Sequence, residues 1–211
     1  IPIIILFPEI EFHRRRFIEA VQRKVNKYGY CSIVVSEGVR GADGKFLSDQ
    51  GLRDAFGHAQ LGGAAPVIAS MVKQDLDLKY HWAVADYLQR SARHIASKTD
   101  VEQAYAVGRA AVLLALQGKN SVMPAICRIS NHPYRWKIIE AKLARVANRE
   151  KLMPRTFISR DGFGITARCR DYLEPLIQGE DYPPYRNGLP RYERLKNVPV
   201  KKKLKRAFKL N

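Results

Sequence analysis

The sequence predicts an α/β fold: a parallel sheet flanked by helices, followed by an irregular C-terminal extension. Three observations predict it. Residues 3–7 are an unbroken apolar run rich in isoleucine, residues 14–28 carry apolar side chains at helical spacing, and residues 31–35 form a second apolar run.

Each element has a local reason. The run over residues 3–7 is closed by Pro8 and has the length of a strand buried on both faces, as parallel strands are. In the next stretch Phe17, Ile18, Val21 and Val25 fall on one helical face, and Gly29 follows the last turn where a C-cap is expected. With the second run these elements make a βαβ unit over the first 36 residues, right-handed by the usual rule, which gives the sheet a Rossmann-like character. Ser36, Glu37 and Gly38 sit at its carboxyl end.

Residues 39–54 are rich in glycine and charge and weakly periodic, which predicts a surface loop. A Gly-His-Ala-Gln-Leu-Gly-Gly segment over 57–63 then leads into a predicted helix over 64–76. Leu78, Tyr80, Trp82 and Val84 alternate with Lys79, His81 and Ala83, the pattern of a strand, and residues 87–90 open a helix running toward Ser97. Asp100 is placed as N-cap of a helix over 101–117 stopped by Gly118, and residues 121–130 read as a strand. Beyond Asn131 prolines punctuate the chain, and helical pieces are expected at 140–149 and 165–178. These patterns divide the chain into an α/β domain over 1–130 and an extension with a basic tail over 131–211.

Composition narrows the function. At 211 residues and 46% hydrophobic the chain can bury a sizeable core. No apolar run approaches the roughly 18 residues of a membrane helix, so a soluble protein without a membrane partner is expected. The start at Ile1 lacks the features of a secretory signal and lacks Met, which suggests a truncated chain. Cys31, Cys127 and Cys169 are far apart without CxxC spacing, as expected of free thiols in a reducing compartment. The net charge of +17 attracts polyanions, whether phosphorylated sugars, pyrophosphate or nucleic acid. Much of it is local, in residues 13–16 and in the lysine-rich run 201–211. Such runs are more often solvated faces, and no stacking motif, zinc finger or helix-turn-helix spacing supports nucleic-acid binding.

In open α/β sheets ligands bind beyond the carboxyl ends of the strands, which singles out Glu37, Gly38, Tyr87 and Arg90. A carboxylate there can accept hydrogen bonds from sugar hydroxyls, and a guanidinium can grip a phosphate bidentately. His58, between a glycine and an alanine, is read as a loop residue rather than a general base. No Gly-x-x-x-x-Gly-Lys loop and no TxDxD segment occurs in the chain.

The ordered series Phe7-Pro8-Glu9, Val34-Val35-Ser36-Glu37-Gly38, the 57–63 segment, Tyr87-Leu88-Gln89-Arg90 and Ala96-Ser97-Lys98-Thr99-Asp100 resembles the pyrophosphate-dependent phosphofructokinases of the long bacterial type, over roughly the whole chain to Asn197. The resemblance implies the second, C-terminal half of that fold, working in glycolysis in the cytoplasm. It implies that Glu37 contacts fructose 6-phosphate hydroxyls, that Tyr87 and Arg90 lie at its 6-phosphate, and that Gly38, Lys79 and His81 are further candidates. Glu9 is read as structural. The donor loop, the catalytic aspartates and the ligands of magnesium are expected in an N-terminal half, with no catalytic or metal residue in this chain. Pyrophosphate would reach the site through that half, in a homo-oligomer or beside an N-terminal partner chain. A non-catalytic sugar-phosphate-binding or regulatory module is the competing reading.

Overall fold

The structure is a computed structural model; it describes residues 1–53, 59–61 and 63–201, with the backbone alone at 50–53, 59–61 and 89–90. Strand β1 (Ile3–Leu6) pairs in parallel with β2 (Ser32–Val35), Ile3 opposite Ser32 and Leu6 opposite Val35, and helix α1 (Arg14–Tyr28) connects them. The predicted βαβ unit is therefore present. Gly29 caps α1 in the left-handed conformation at φ 79°, its N–H on the Val25 carbonyl, as the sequence predicts.

Burial of that sheet is one-sided, against the expectation of strands covered on both faces. Ile4 and Leu6 point into a core with Phe17, Ala20 and Val21 of α1 and Ile68 and Val72 of α2 (Ala64–Leu76), closed by Val39. On the opposite face Ile3 and Val34 are 39% and 56% exposed. Both described helices of this layer pack on the same side, so the alternate side chains stay partly exposed.

The predicted loop over 39–54 is more regular than its composition suggests. Arg40 and Phe46 form a bridge around a turn in which Asp43 accepts from the Lys45 N–H and the Arg40 guanidinium lies over the Phe46 ring at 3.7 Å. The chain then pairs β3 (Asp49–Arg53) antiparallel with β4 (Ala59–Leu61). His58 and the tail residues 202–211 lie outside the described residues, as do Gly57 and Gly62.

Three predicted elements differ. Residues 77–87 are irregular rather than a strand, with Tyr80, Trp82 and Val84 about half-exposed; alternation alone does not make a strand where no neighbour pairs with it. The helix after it shortens to α3 (Leu88–Ser91) and a 3-10 turn at Arg93–Ile95. Helix α4 (Lys98–Leu116) starts earlier than expected because Ser97, not Asp100, is its cap: Ser97 Oγ accepts from the Asp100 N–H at 3.1 Å.

Beyond α4, β5 (Val122–Asn131) forms a long antiparallel hairpin with β6 (Tyr134–Lys142). The helical piece expected over 140–149 is thus strand up to Lys142, with only a 3-10 turn at Leu143–Arg145. Arg128 lies between the rings of Tyr134 and Tyr172, joining the hairpin to α5 (Ala167–Leu173), and a 3-10 turn at Glu174–Ile177 continues α5 as predicted. A short pair, β7 (Tyr185–Arg186) with β8 (Leu189–Pro190), lies in the tail. The segment 153–165 returns to the first layer, where Ile5 donates its N–H to the Phe163 carbonyl at 2.9 Å and Phe163 packs on the core. All three cysteines are free, and among the described residues no helix is long and apolar enough to cross a membrane.

Candidate functional site

Strand β2 ends at Val35 and the chain turns at once. Ser36 Oγ accepts from the Gly38 N–H, the Ser36 carbonyl accepts from the Val39 N–H, and Val39 drops into the core. Glu37 is held at the apex, exposed, at the mouth of the sheet where the sequence places it. Gly38 stands against Pro8: a β-carbon added there would lie 3.1 Å from the Pro8 Cβ. Close packing of β1 and β2 at their ends accounts for this glycine.

The Glu37 carboxylate is not free-swinging. The backbone N–H of Ala64, first residue of α2, donates to Oε1 and Oε2 at 3.2 and 3.1 Å, and Ser48 Oγ donates to Oε2 at 3.3 Å. An anion at the start of a helix meets both an unsatisfied N–H and the positive end of the helix dipole. The local sequence thus turns a loop carboxylate into a fixed acceptor facing solvent. Ser48 and the Ala64 N–H are functional groups that the sequence reading missed, since a lone serine in a glycine-rich loop carries no periodicity.

The second group of predicted residues lies on the irregular segment and α3. Lys79, His81 and Tyr87 are all exposed. The Tyr87 carbonyl accepts from both the N–H and the Oγ of Ser91, closing the single turn of α3 that carries the backbone of Arg90, whose side chain lies outside the described residues. This turn is fastened to the tail: the Arg93 guanidinium bonds the Asp181 carbonyl and pairs with its carboxylate at 3.3 Å. The structure therefore brings Glu37 together with Gly38, Ser48 and Ala64, and carries Lys79, His81, Tyr87 and Arg90 on a separate segment.

No family model matches the chain. It is 65% identical over 206 residues to the pyrophosphate–fructose 6-phosphate 1-phosphotransferase of Methylococcus capsulatus, covering 98% of this chain and 49% of that protein. It is 63% identical over 209 residues to the protein of the same name from Halomonas elongata, covering 99% of this chain and 50% of that one. The crystal structure of a pyrophosphate-dependent phosphofructokinase from Nitrosospira multiformis superimposes with a TM-score of 0.80 at 64% identity, covering 96% of this chain and 47% of that one. The chain belongs to the pyrophosphate-dependent phosphofructokinase family. It spans about half the length of the relatives it matches.

Membership carries the α/β phosphofructokinase fold expected from the sequence. Among the described residues no group of three or more His, Cys, Asp or Glu side chains could hold a metal ion. Two surface pockets also stand apart from the predicted residues. One lies between Phe7, Phe12, Val39 and Phe163, and an open one lies along Arg23, Lys24 and Lys27; none of Glu37, Gly38, Lys79, His81 or Tyr87 lines either.

Proposed function

We propose that this chain is the C-terminal, fructose 6-phosphate-binding part of a pyrophosphate-dependent 6-phosphofructokinase, in which a phosphoryl group passes from diphosphate to the 1-hydroxyl of fructose 6-phosphate in glycolysis. The observation that carries it is the likeness, over nearly the whole chain, to phosphotransferases of that name. The site geometry supports the same reading, because Glu37 offers an anchored carboxylate to sugar hydroxyls at the mouth of the sheet. In this reading Tyr87 and Arg90 meet the 6-phosphate, the guanidinium gripping it with two charge-assisted bonds, Lys79 adds positive potential nearby and His81 is a further contact. The chain's own chemistry is then to bind and orient the acceptor sugar.

Phosphoryl transfer depends on positioning and on neutralising the charge of the transferring group. We place the groups that hold diphosphate and magnesium in the part of the longer relatives that this chain does not span, contributed by the same polypeptide or by a partner subunit. A cytoplasmic setting belongs to the reading and agrees with three free thiols.

Calorimetric titration tests the binding half of this proposal. Fructose 6-phosphate should bind the parent chain, and Arg90→Ala should weaken it by about 1.5–3 kcal/mol, the worth of a hydrogen-bonded charged contact. Equal affinity of mutant and parent would remove Arg90 from the site. For the transfer itself, diphosphate-dependent activity should appear when the chain is mixed with the separately expressed other half of the Methylococcus capsulatus relative. No gain on mixing favours the non-catalytic module.

A further inference from the structure

Ser48 has no place in the family likeness set out above, yet the residue is buried, at 4% exposure, and its hydroxyl donates to the Glu37 carboxylate. We infer that Ser48 is a positioning residue that sets the direction in which Glu37 presents its free oxygen to the sugar. The inference rests on the reading of Glu37 as the acceptor of sugar hydroxyls.

The geometry is specific. Among the described residues Glu37 receives donors from segments 11 and 27 positions away, so two separate parts of the chain restrain its side-chain torsions. Among the described residues Oε2 takes the Ser48 hydroxyl and the shorter contact of the Ala64 N–H, whereas Oε1 takes only the longer one. An ionised carboxylate has about four lone-pair sites, so the unfilled capacity lies mainly on Oε1 of an exposed residue. Without Ser48 the carboxylate, held by the Ala64 N–H alone, could swing its plane and turn its free lone pairs away from the sugar. Ser48 itself is placed by backbone: the Leu47 N–H bonds the carbonyl of buried Val39 at 3.0 Å, and the Asp49 N–H bonds the Phe46 carbonyl at 3.2 Å. A buried hydroxyl also needs its partner, because leaving it unpaired costs more than the bond is worth.

A double-mutant cycle on the full 211-residue chain, read by calorimetric titration with fructose 6-phosphate, tests this. Ser48→Ala should weaken binding about three- to tenfold, and the loss should vanish in the Glu37→Ala background, where no acceptor is left for the hydroxyl. Ser48→Cys keeps a donor, weaker and somewhat larger, and should lose less, again only when Glu37 is intact; a thermal melt of each variant checks the fold. Parent affinity in both Ser48 variants overturns the inference, and so does an equal loss with and without Glu37. Either result leaves the reading of Glu37 standing. A Glu37→Ala protein that binds as the parent does, or a parent that does not bind at all, overturns that reading and the inference with it.

Discussion

Glu9 and Met153, 144 positions apart, are joined directly: the Met153 N–H donates to Glu9 Oε1 at 2.8 Å. Glu9 follows β1 and Met153 opens the segment that returns to the sheet edge at Phe163, so one hydrogen bond pins the return path. The second oxygen, Oε2, is buried without a hydrogen-bond partner among the described residues. This supports the structural reading of Glu9. Glu9→Ala should lower stability by about 1–3 kcal/mol in urea denaturation, because it strands a backbone donor. Glu9→Gln keeps an oxygen for Met153 and should lose less. Equal midpoints for Glu9→Ala and parent would show that the segment is held by Phe163 alone.

A second joint sits at the surface. Arg14 at the start of α1 grips Asp75 near the end of α2 with two bonds, Nε to Oδ2 at 2.8 Å and Nη2 to Oδ1 at 2.7 Å, and Nη2 also reaches Gln74. The hydrogen bond from Arg14 holds the Asp75 carboxyl below its ordinary value of 3.8. A carboxyl depressed in the folded state contributes stability above its unfolded pKa and loses it as pH falls through the folded one. Asp75→Asn should therefore lower Tm slightly at pH 7, and the gap to the parent should close below about pH 3.8. Asp77 and Asp161 are depressed as well, by Lys73 and Ser159, so both proteins lose stability in acid and only their difference reports on Asp75. A gap that persists at pH 2 would assign the effect to something other than the ion pair.

What was legible in the sequence was what local patterning decides. The βαβ unit follows from two apolar runs, one amphipathic stretch and Gly29, and each cue is satisfied within a few residues of itself. The failures are decided by partners far along the chain. Residues 140–145 read Glu-Ala-Lys-Leu-Ala-Arg, good helix formers, but pairing of Val122 with Lys142 and Pro124 with Glu140 draws the first of them into a strand. Residues 78–84 have a strand's alternation and find no strand beside them. The place of Glu37 at the mouth of the sheet was legible because it directly follows the second apolar run. Ser48 was not, because its role comes from a turn that brings residue 48 back under residue 37.

The joint between α4 and the tail yields the sharpest test of a single atom. Ser97 Oγ accepts from the Asp100 N–H and donates to the Leu176 carbonyl at 2.6 Å, while the N–H groups of Lys98 and Thr99 bond the carbonyls of Gly179 and Gln178 at 3.0 and 3.3 Å. The first turn of α4, whose N–H groups have no partner within the helix, is thus satisfied by the chain 80 residues on. Gly179 makes this approach possible, for it sits at φ 78° and an added β-carbon would fall 2.8 Å from Lys98 Cβ. Gly179→Ala should cost the strain of a left-handed alanine, about 1–2 kcal/mol, and in addition push the tail off the helix. Gly44→Ala is the matched control, since Gly44 has φ 75° and open space around it. Chemical denaturation should show a larger loss at 179 than at 44. Equal losses would mean that the tail yields freely to the extra carbon and that Ser97 alone caps the helix.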